Sequence, residues 1–311
     1  MDTVPEKNVP ETSVPGTSVP GTSMTEKAEL FAAHRWTAFA VAYEILGTRA
    51  DAEDVVQEVY LRWADVELAA VRHPRAYLAT MAARTALNAV RTVSRRREDY
   101  PGPWLPEPLV ADRESPEQQV LARENIGYAL SVVLQQATPE QRAVFMLHEV
   151  FGLPYPVVAD ALGKTQAAVR QIARRARTRL AAPARTPLDT RAGKEVLEAF
   201  LAAVVTGDLQ ALMDVLAPDA VLLSDGGGKV VAARRPIVGA ESVAAFVLSI
   251  ARTPLPHVRV ELGTLSGGPG VLVHVGERLD VTLALAVDEQ RTVTGVYLVR
   301  NPDKLLQPTA R

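Results

Sequence analysis

YPVVADALGKTQAAVRQIARRARTRL, from Tyr155 to Leu180, is the stretch that decides the fold class of the central part of the chain. Its apolar spacing predicts two helices around a tight turn. The first runs from about Tyr155 to Leu162, with Val158, Ala161 and Leu162 inward, and stops at Gly163, a residue suited to positive φ. Thr165 is placed to cap the second, in which Val169, Ile172, Ala173, Ala176 and Leu180 share one side. Gln166, Ala167, Arg170, Gln171, Arg174 and Arg175 then fall at the exposed start and flank. Amide and guanidinium groups there suit base edges and phosphates in a DNA groove. Between Lys164 and Leu180 there are basic residues and no acidic one, whereas an ordinary surface helix, the alternative, mixes both signs.

The chain has 311 residues, 48% of them hydrophobic, enough for two or three domains with cores. With no cysteine it has no disulfide, thiolate nucleophile or Cys-based zinc site, which suits a reducing cytoplasm. No apolar run reaches the ~20 residues of a membrane span, and no signal-peptide pattern opens the chain. A cytoplasmic protein without membrane contact, metal or cofactor is the expectation. The net charge of −2 hides segregation: acid gathers in residues 98–118 and base in 119–185.

Residues 1–23 repeat Val-Pro with Gly, Thr and Ser and offer little to bury, so a disordered tail is expected, with Met24 a candidate start. From residue 24 to 97 the pattern is helical. In DAEDVVQEVYLRW, residues 51–63, Val55, Val56, Val59, Tyr60 and Trp63 make a buried side. Asp51, Glu53, Asp54 and Glu58 make an acidic face, part helix-dipole chemistry and part a dock for a basic partner. In Pro74–Arg97, Tyr77, Leu78, Met81, Leu87 and Val90 pack. Arg84, Arg91 and Arg95–Arg97 build a second candidate nucleic-acid surface.

The order DAEDVVQEVYLRW, HPRAYLATMAARTALNAVR (73–91) and TPEQRAVFMLHEVFGLPYPVVADALGKTQAAVRQIARRARTRL (138–180) resembles the extracytoplasmic-function sigma factors of bacteria. The resemblance implies a σ2 domain at 24–97, a linker at 98–118 and a helix-turn-helix σ4 domain at 119–183. It implies core RNA polymerase and promoter DNA as partners. Asp51, Asp54, Gln57 and Glu58 would grip the β′ clamp helices, with a further contact to the β subunit. Arg75, Arg84, Asn88 and Arg91 would hold the opened −10 element, and Gln166, Ala167, Arg170, Gln171, Arg174 and Arg175 would read the −35 element. Melted DNA needs a basic channel with pockets or stacking groups, for which Tyr77 is an aromatic candidate and equally a core residue.

The linker is rich in Pro and acid and is expected to run extended between the two helical domains. Trp104 and Leu105, beside Pro103 and Pro106, form an apolar knob that needs a dock or a neighbouring domain. After a short linker at 184–191 the pattern changes class. Helices are expected at 192–205, 209–216 and 242–250, then strands at 258–265, 271–275, 281–287 and 292–299. Together they give an α+β domain at 192–300 with a curved antiparallel sheet, and a tail at 301–311. GDLQALMDVLAPDAVLLSDGGGK, residues 207–229, resembles SnoaL-like domains of the NTF2 superfamily, whose bent sheet encloses a cone-shaped cavity, a place for a small-molecule ligand.

WLPEPL at 104–109, DGGGK at 225–229 and NPDKL at 301–305 look like the marks of the sigma-factor subgroup carrying this extension. They nominate a regulatory contact among Trp104, Leu105, Pro106, Asp225, Gly226, Gly227, Gly228, Lys229, Asn301, Pro302, Asp303, Lys304 and Leu305. DGGGK alone also admits a hairpin or bulge turn, or a phosphate cradle, though without P-loop spacing. The expected function is an alternative sigma factor, monomeric when free and regulated in cis by its C-terminal domain. Two alternatives stay open: a helix-turn-helix regulator with a ligand-sensing domain, and a SnoaL-type cyclase or isomerase using His257, His274, Asp225 or Asp280.

Overall fold

The computed structural model describes residues 21–110, 126–180 and 191–305. Most of the expected N-terminal tail, the linker's second half, the 184–190 connector and residues 306–311 lie outside the described residues.

The first helical unit is α1 (Gly21–Leu46), α2 (Arg49–Ala64) and α3 (Pro74–Glu98). Gly47, at φ +79°, ends α1, and Thr48 caps α2 by accepting from the Asp51 amide. Trp63 is fully buried at the end of α2, and its indole N–H donates to the Lys27 carbonyl at 2.8 Å. The second unit is α4 (Tyr128–Leu134), α5 (Pro139–Phe145) continued by a π-type turn at Met146–Val150, α6 (Tyr155–Leu162) and α7 (Gln166–Leu180). A reciprocal capping box between Thr138 and Gln141 opens α5. Gly163, at φ +61°, closes α6, and the Thr165 hydroxyl accepts from the Ala168 amide at 3.2 Å to open α7. The two units share one apolar core, in which Phe39, Ile45 and Leu78 meet Leu134, Met146 and Val158.

The third unit begins with α8 (Arg191–Thr206) and α9 (Leu209–Val215), then β1 (Leu216–Asp225) and β2 (Ile237–Val238). Helix α10 (Ala240–Ala251), strands β3 (Val258–Leu265), β4 (Gly268–Val275), β5 (Arg278–Val287) and β6 (Val293–Val299), and the short α11 (Pro302–Leu305) complete it. The sheet order is β2-β1-β6-β5-β4-β3. An antiparallel sheet was expected; the sheet is mixed, because β1 pairs with β6 in parallel. Strand β1 escapes sequence inspection because Leu222 and Leu223 are apolar on opposite faces, so no alternation marks it.

One sheet face carries the helices, with Phe200, Leu212 and Leu248 against Leu222, Leu285 and Val296. The other face is covered by the linker and α4: Leu105, Tyr128 and Val132 pack on Leu272, Ala284, Tyr297 and Val299. The linker's first half is therefore laid on the C-terminal sheet rather than strung between the helical units, and Val110 pairs with Leu265 at the end of β3.

Candidate functional site

Asp225, the last residue of β1, has no solvent exposure and gathers the three sequence marks into one site. Its carboxylate accepts from the Tyr100 hydroxyl at 2.6 Å, the Leu105 amide at 2.9 Å, the Gly227 amide at 3.0 Å and the Lys304 ammonium at 2.7 Å. Its carbonyl accepts from the amides of Arg300 and Asn301. The Lys304 ammonium also donates to the Leu105 carbonyl at 2.5 Å and lies 4.2 Å from the Trp104 ring centre and 4.8 Å from that of Tyr100. A buried carboxylate is tolerable only when its lone pairs are filled and a cation stands by, and here both conditions hold. Burial, and then the adjacent Asp225 charge, push the Tyr100 hydroxyl above its ordinary range, so it stays a donor.

The glycines permit close approach. A Cβ on Gly228, at φ +70°, would sit 2.6 Å from Pro101 Cγ, and one on Gly227 would meet the Asn301 side chain. Gly226 forms a tight turn by accepting from the amides of Lys229 and Val230. With the Gly227, Lys229 and Val230 amides bonded inside the loop, three of the donors a phosphate cradle would use are taken up in a packing turn. Lys229 pairs with Asp303 at 2.6 Å, and the Asn301 amide group donates to the Tyr100 hydroxyl at 2.8 Å. Leu105 and Leu305 lie in the same cluster, and Pro106 supplies a carbonyl to the Tyr128 hydroxyl at 2.7 Å. Pro302 opens α11 and so turns Lys304 toward Asp225.

A second node had no sequence signal. Ser266, at φ +45° in the β3–β4 turn, bonds Leu109 through its amide (2.7 Å) and takes the Gly127 amide on its carbonyl (2.9 Å). Its hydroxyl is 3.5 Å from that of Tyr43 on α1. Tyr43 donates to the Glu107 carbonyl at 2.5 Å, and Glu107 accepts from the Arg49 amide at 2.9 Å. All three units and the linker meet here. Tyr43, Tyr100 and Ser266 were missed because each is a single residue whose partner is more than sixty positions away.

The candidate nucleic-acid residues divide. Gln166, Ala167, Arg170, Gln171, Arg174 and Arg175 are all exposed on α7, and Gln171, Arg174 and Arg175 line a cleft of about 580 Å³ with Gln141, Thr178 and Arg179. On α3, Asn88 is exposed, but Arg84 donates to the carbonyls of Asp160 and Ala161 at the end of α6, where helix dipole and open carbonyls favour a cation. Arg75 donates to Thr37 at 3.4 Å and stacks over Phe151 at 5.1 Å. The Arg91 side chain lies outside the described residues. Tyr77 packs 5.9 Å from Trp63. On α2, Asp54, Gln57 and Glu58 are exposed, with Tyr60 and Leu61 beside them. Asp51 is buried and bonded to Thr48, a capping residue rather than part of that face.

The three helices ending in a basic stretch and the helix-turn-helix unit are matched by family models: Sigma-70 region 2 at residues 30–96 and Sigma-70 region 4 at 129–180. The chain is also 37% identical over 304 residues to the ECF RNA polymerase sigma factor SigJ of Mycobacterium tuberculosis, covering 90% of this chain and 96% of that one. This chain belongs to the extracytoplasmic-function sigma factors. A probable ECF sigma factor SigI of the same species is 29% identical over 280 residues, covering 88% and 92% of the two chains. The crystal structure of SigJ superposes with a TM-score of 0.70 at 32% identity, covering 89% of this chain and 97% of that one. The protein is thus an alternative sigma factor that binds RNA polymerase and promoter DNA to direct transcription, with an α+β C-terminal extension.

Of the residues considered for catalysis, the two aspartates are engaged elsewhere in this sigma factor. Asp225 holds the linker, Asp280 pairs with Arg278 (2.8 Å) and Arg300 (3.0 Å), and His274 lies 3.7 Å from Glu261. His257 is exposed in the turn before β3. Sigma factors are not enzymes. Among the described residues no cluster suits a metal ion, and no helix is long and apolar enough to cross a membrane.

Proposed function

We propose that the C-terminal domain regulates this sigma factor in cis by holding the linker. The observation that carries this is the Asp225 site, where one buried carboxylate binds Tyr100 and Leu105 from the linker and Lys304 from the C-terminal end. A linker held on the sheet is withheld from the polymerase. Tethering makes such docking effective even when each contact is weak.

Within this scheme Asp54, Gln57 and Glu58 face the β′ clamp helices, Arg75, Arg84, Asn88 and Arg91 serve the −10 element, and Gln166 to Arg175 read the −35 element. The engaged guanidinium of Arg84 supports a second aspect: the docked form is closed, and separation of α3 from α6 precedes capture of the −10 strand.

Run-off transcription with core polymerase, comparing the full chain with D225N, tests the proposal. A point variant is preferable to truncation after Arg185, which would uncover Leu105, Tyr128 and Val132. Higher promoter-specific output from D225N is expected, lower output would make the docked form the active one, and unchanged output would refute regulation through this site.

A further inference from the structure

The contact between the two helical units contains a polar pair that plays no part in the linker site. Glu44, near the end of α1, has no solvent exposure. Its Oε1 accepts from the Ser131 hydroxyl on α4 at 2.7 Å, while Oε2, equally buried, has no hydrogen-bond partner. The Glu44 carbonyl accepts from the Gln135 side chain at 3.0 Å, and Arg142 of α5 donates to the other end of that side-chain amide. Arg142 is itself buried, and its Nε is unpaired. Glu44 and Arg142 thus approach each other through Gln135 without closing an ion pair.

An ionised carboxylate in this setting has one protein donor for two oxygens and is buried from bulk solvent. A protonated one can donate its O–H to the Ser131 oxygen, 2.7 Å away, while the Ser131 hydroxyl turns to the Gly127 carbonyl at 3.2 Å. Burial, the largest influence, raises the Glu44 carboxyl to about 8, against the downward pull of Ser131 and Arg142. The charged or titratable groups around it are Arg142 from α5, Tyr43 on its own helix and, beyond Tyr43, Glu107 of the linker. Only Arg142 favours the anion, and burial draws its own pKa down to about 10.

We propose that the packing of α1 against α4 and α5 is a proton-linked latch, closed while the Glu44 carboxyl carries a proton and loosened when it loses it. Separation of the units hydrates Glu44 and releases that proton. The same separation frees the Arg84 guanidinium from the α6 carbonyls. The sign follows from linkage. Closure is fully favoured below the ordinary carboxyl value of 4.5 and weakens as pH rises toward about 8, with an open-to-closed ratio that climbs at most about tenfold per pH unit. Above that value it levels off. The device acts between the helical units and stands whether or not the C-terminal domain regulates transcription.

The chain has no cysteine, so a dye pair on Leu61→Cys and Thr178→Cys, both at exposed positions, reads the distance between α2 and α7 by single-molecule energy transfer. In the full chain the open population should rise with pH across that window. In E44Q, which imitates the protonated acid, it should stay low and flat. Infrared difference spectra of the full chain against E44Q at neutral pH should show one buried carboxylic-acid carbonyl band, a readout independent of opening. A pH-independent distance, a pH response unchanged in E44Q, or absence of that band would each overturn the latch.

Discussion

Replacing Asp225 by Asn keeps the side-chain shape and removes the charge at the centre of the linker site. The carboxylate takes four donors, from Tyr100, Leu105, Gly227 and Lys304. An Asn carbonyl accepts at most two, and its amide nitrogen confronts the rest as a donor. The Lys304 side chain, 9% exposed, is left as a buried cation without its counter-ion. Removing one member of a buried pair costs about 3–5 kcal/mol. Even the lower figure displaces the docking equilibrium on the order of 100-fold, since 1.4 kcal/mol is a factor of ten. The amide of Leu105 reports this directly, because it bonds Asp225 itself. Its hydrogen exchange in D225N, read by mass spectrometry over residues 99–109, should accelerate by that factor while amides in α1 and β5 keep their protection. Adding K304M to D225N should recover part of the loss, because the stranded charge is gone. Unchanged exchange at Leu105 in D225N would refute the assignment of Asp225 as the residue that holds the linker.

Gly228→Ala puts a methyl group 2.6 Å from Pro101 at φ +70°. With about 1–2 kcal/mol for the left-handed backbone alone, linker exchange should quicken about tenfold. The paired substitutions Asp54→Lys and Glu58→Lys alter exposed positions and should weaken binding to core polymerase without lowering the melting temperature of the free chain. In the holoenzyme, Arg174→Ala should weaken promoter binding similarly for all sequences and reduce its salt slope by about one, whereas Gln166→Ala should relax discrimination within the −35 element.

The regular local signals were legible in the sequence. The Gly163 turn, the Thr165 cap and the one-signed face of α7 follow from residues within four positions of one another, where helical periodicity and φ preference act directly. The strands from β3 to β6 were legible in type, although β4 and β5 begin earlier than their apolar runs, at the hairpin turns. Asp51 was misplaced because an acidic residue in a first helical turn serves a cap or a partner equally well until its burial is known. Arg84 is the same case for base: its charge was plain, its occupation by the α6 carbonyls was not.

The motifs WLPEPL, DGGGK and NPDKL were visible as candidates for one contact, but nothing local says that Asp225 is the acceptor on which they converge. Tyr100, Ser266 and the Glu44–Gln135–Arg142 chain left no trace in any window. The sequence alone determined the two helical units, the helix-turn-helix and the change to an α+β domain, because those depend on short-range patterns of apolar and charged residues. Only the tertiary structure decided the parallel β1–β6 pairing, the docking of the linker and which charges are buried, because those depend on long-range packing and on water being excluded from groups far apart in the chain.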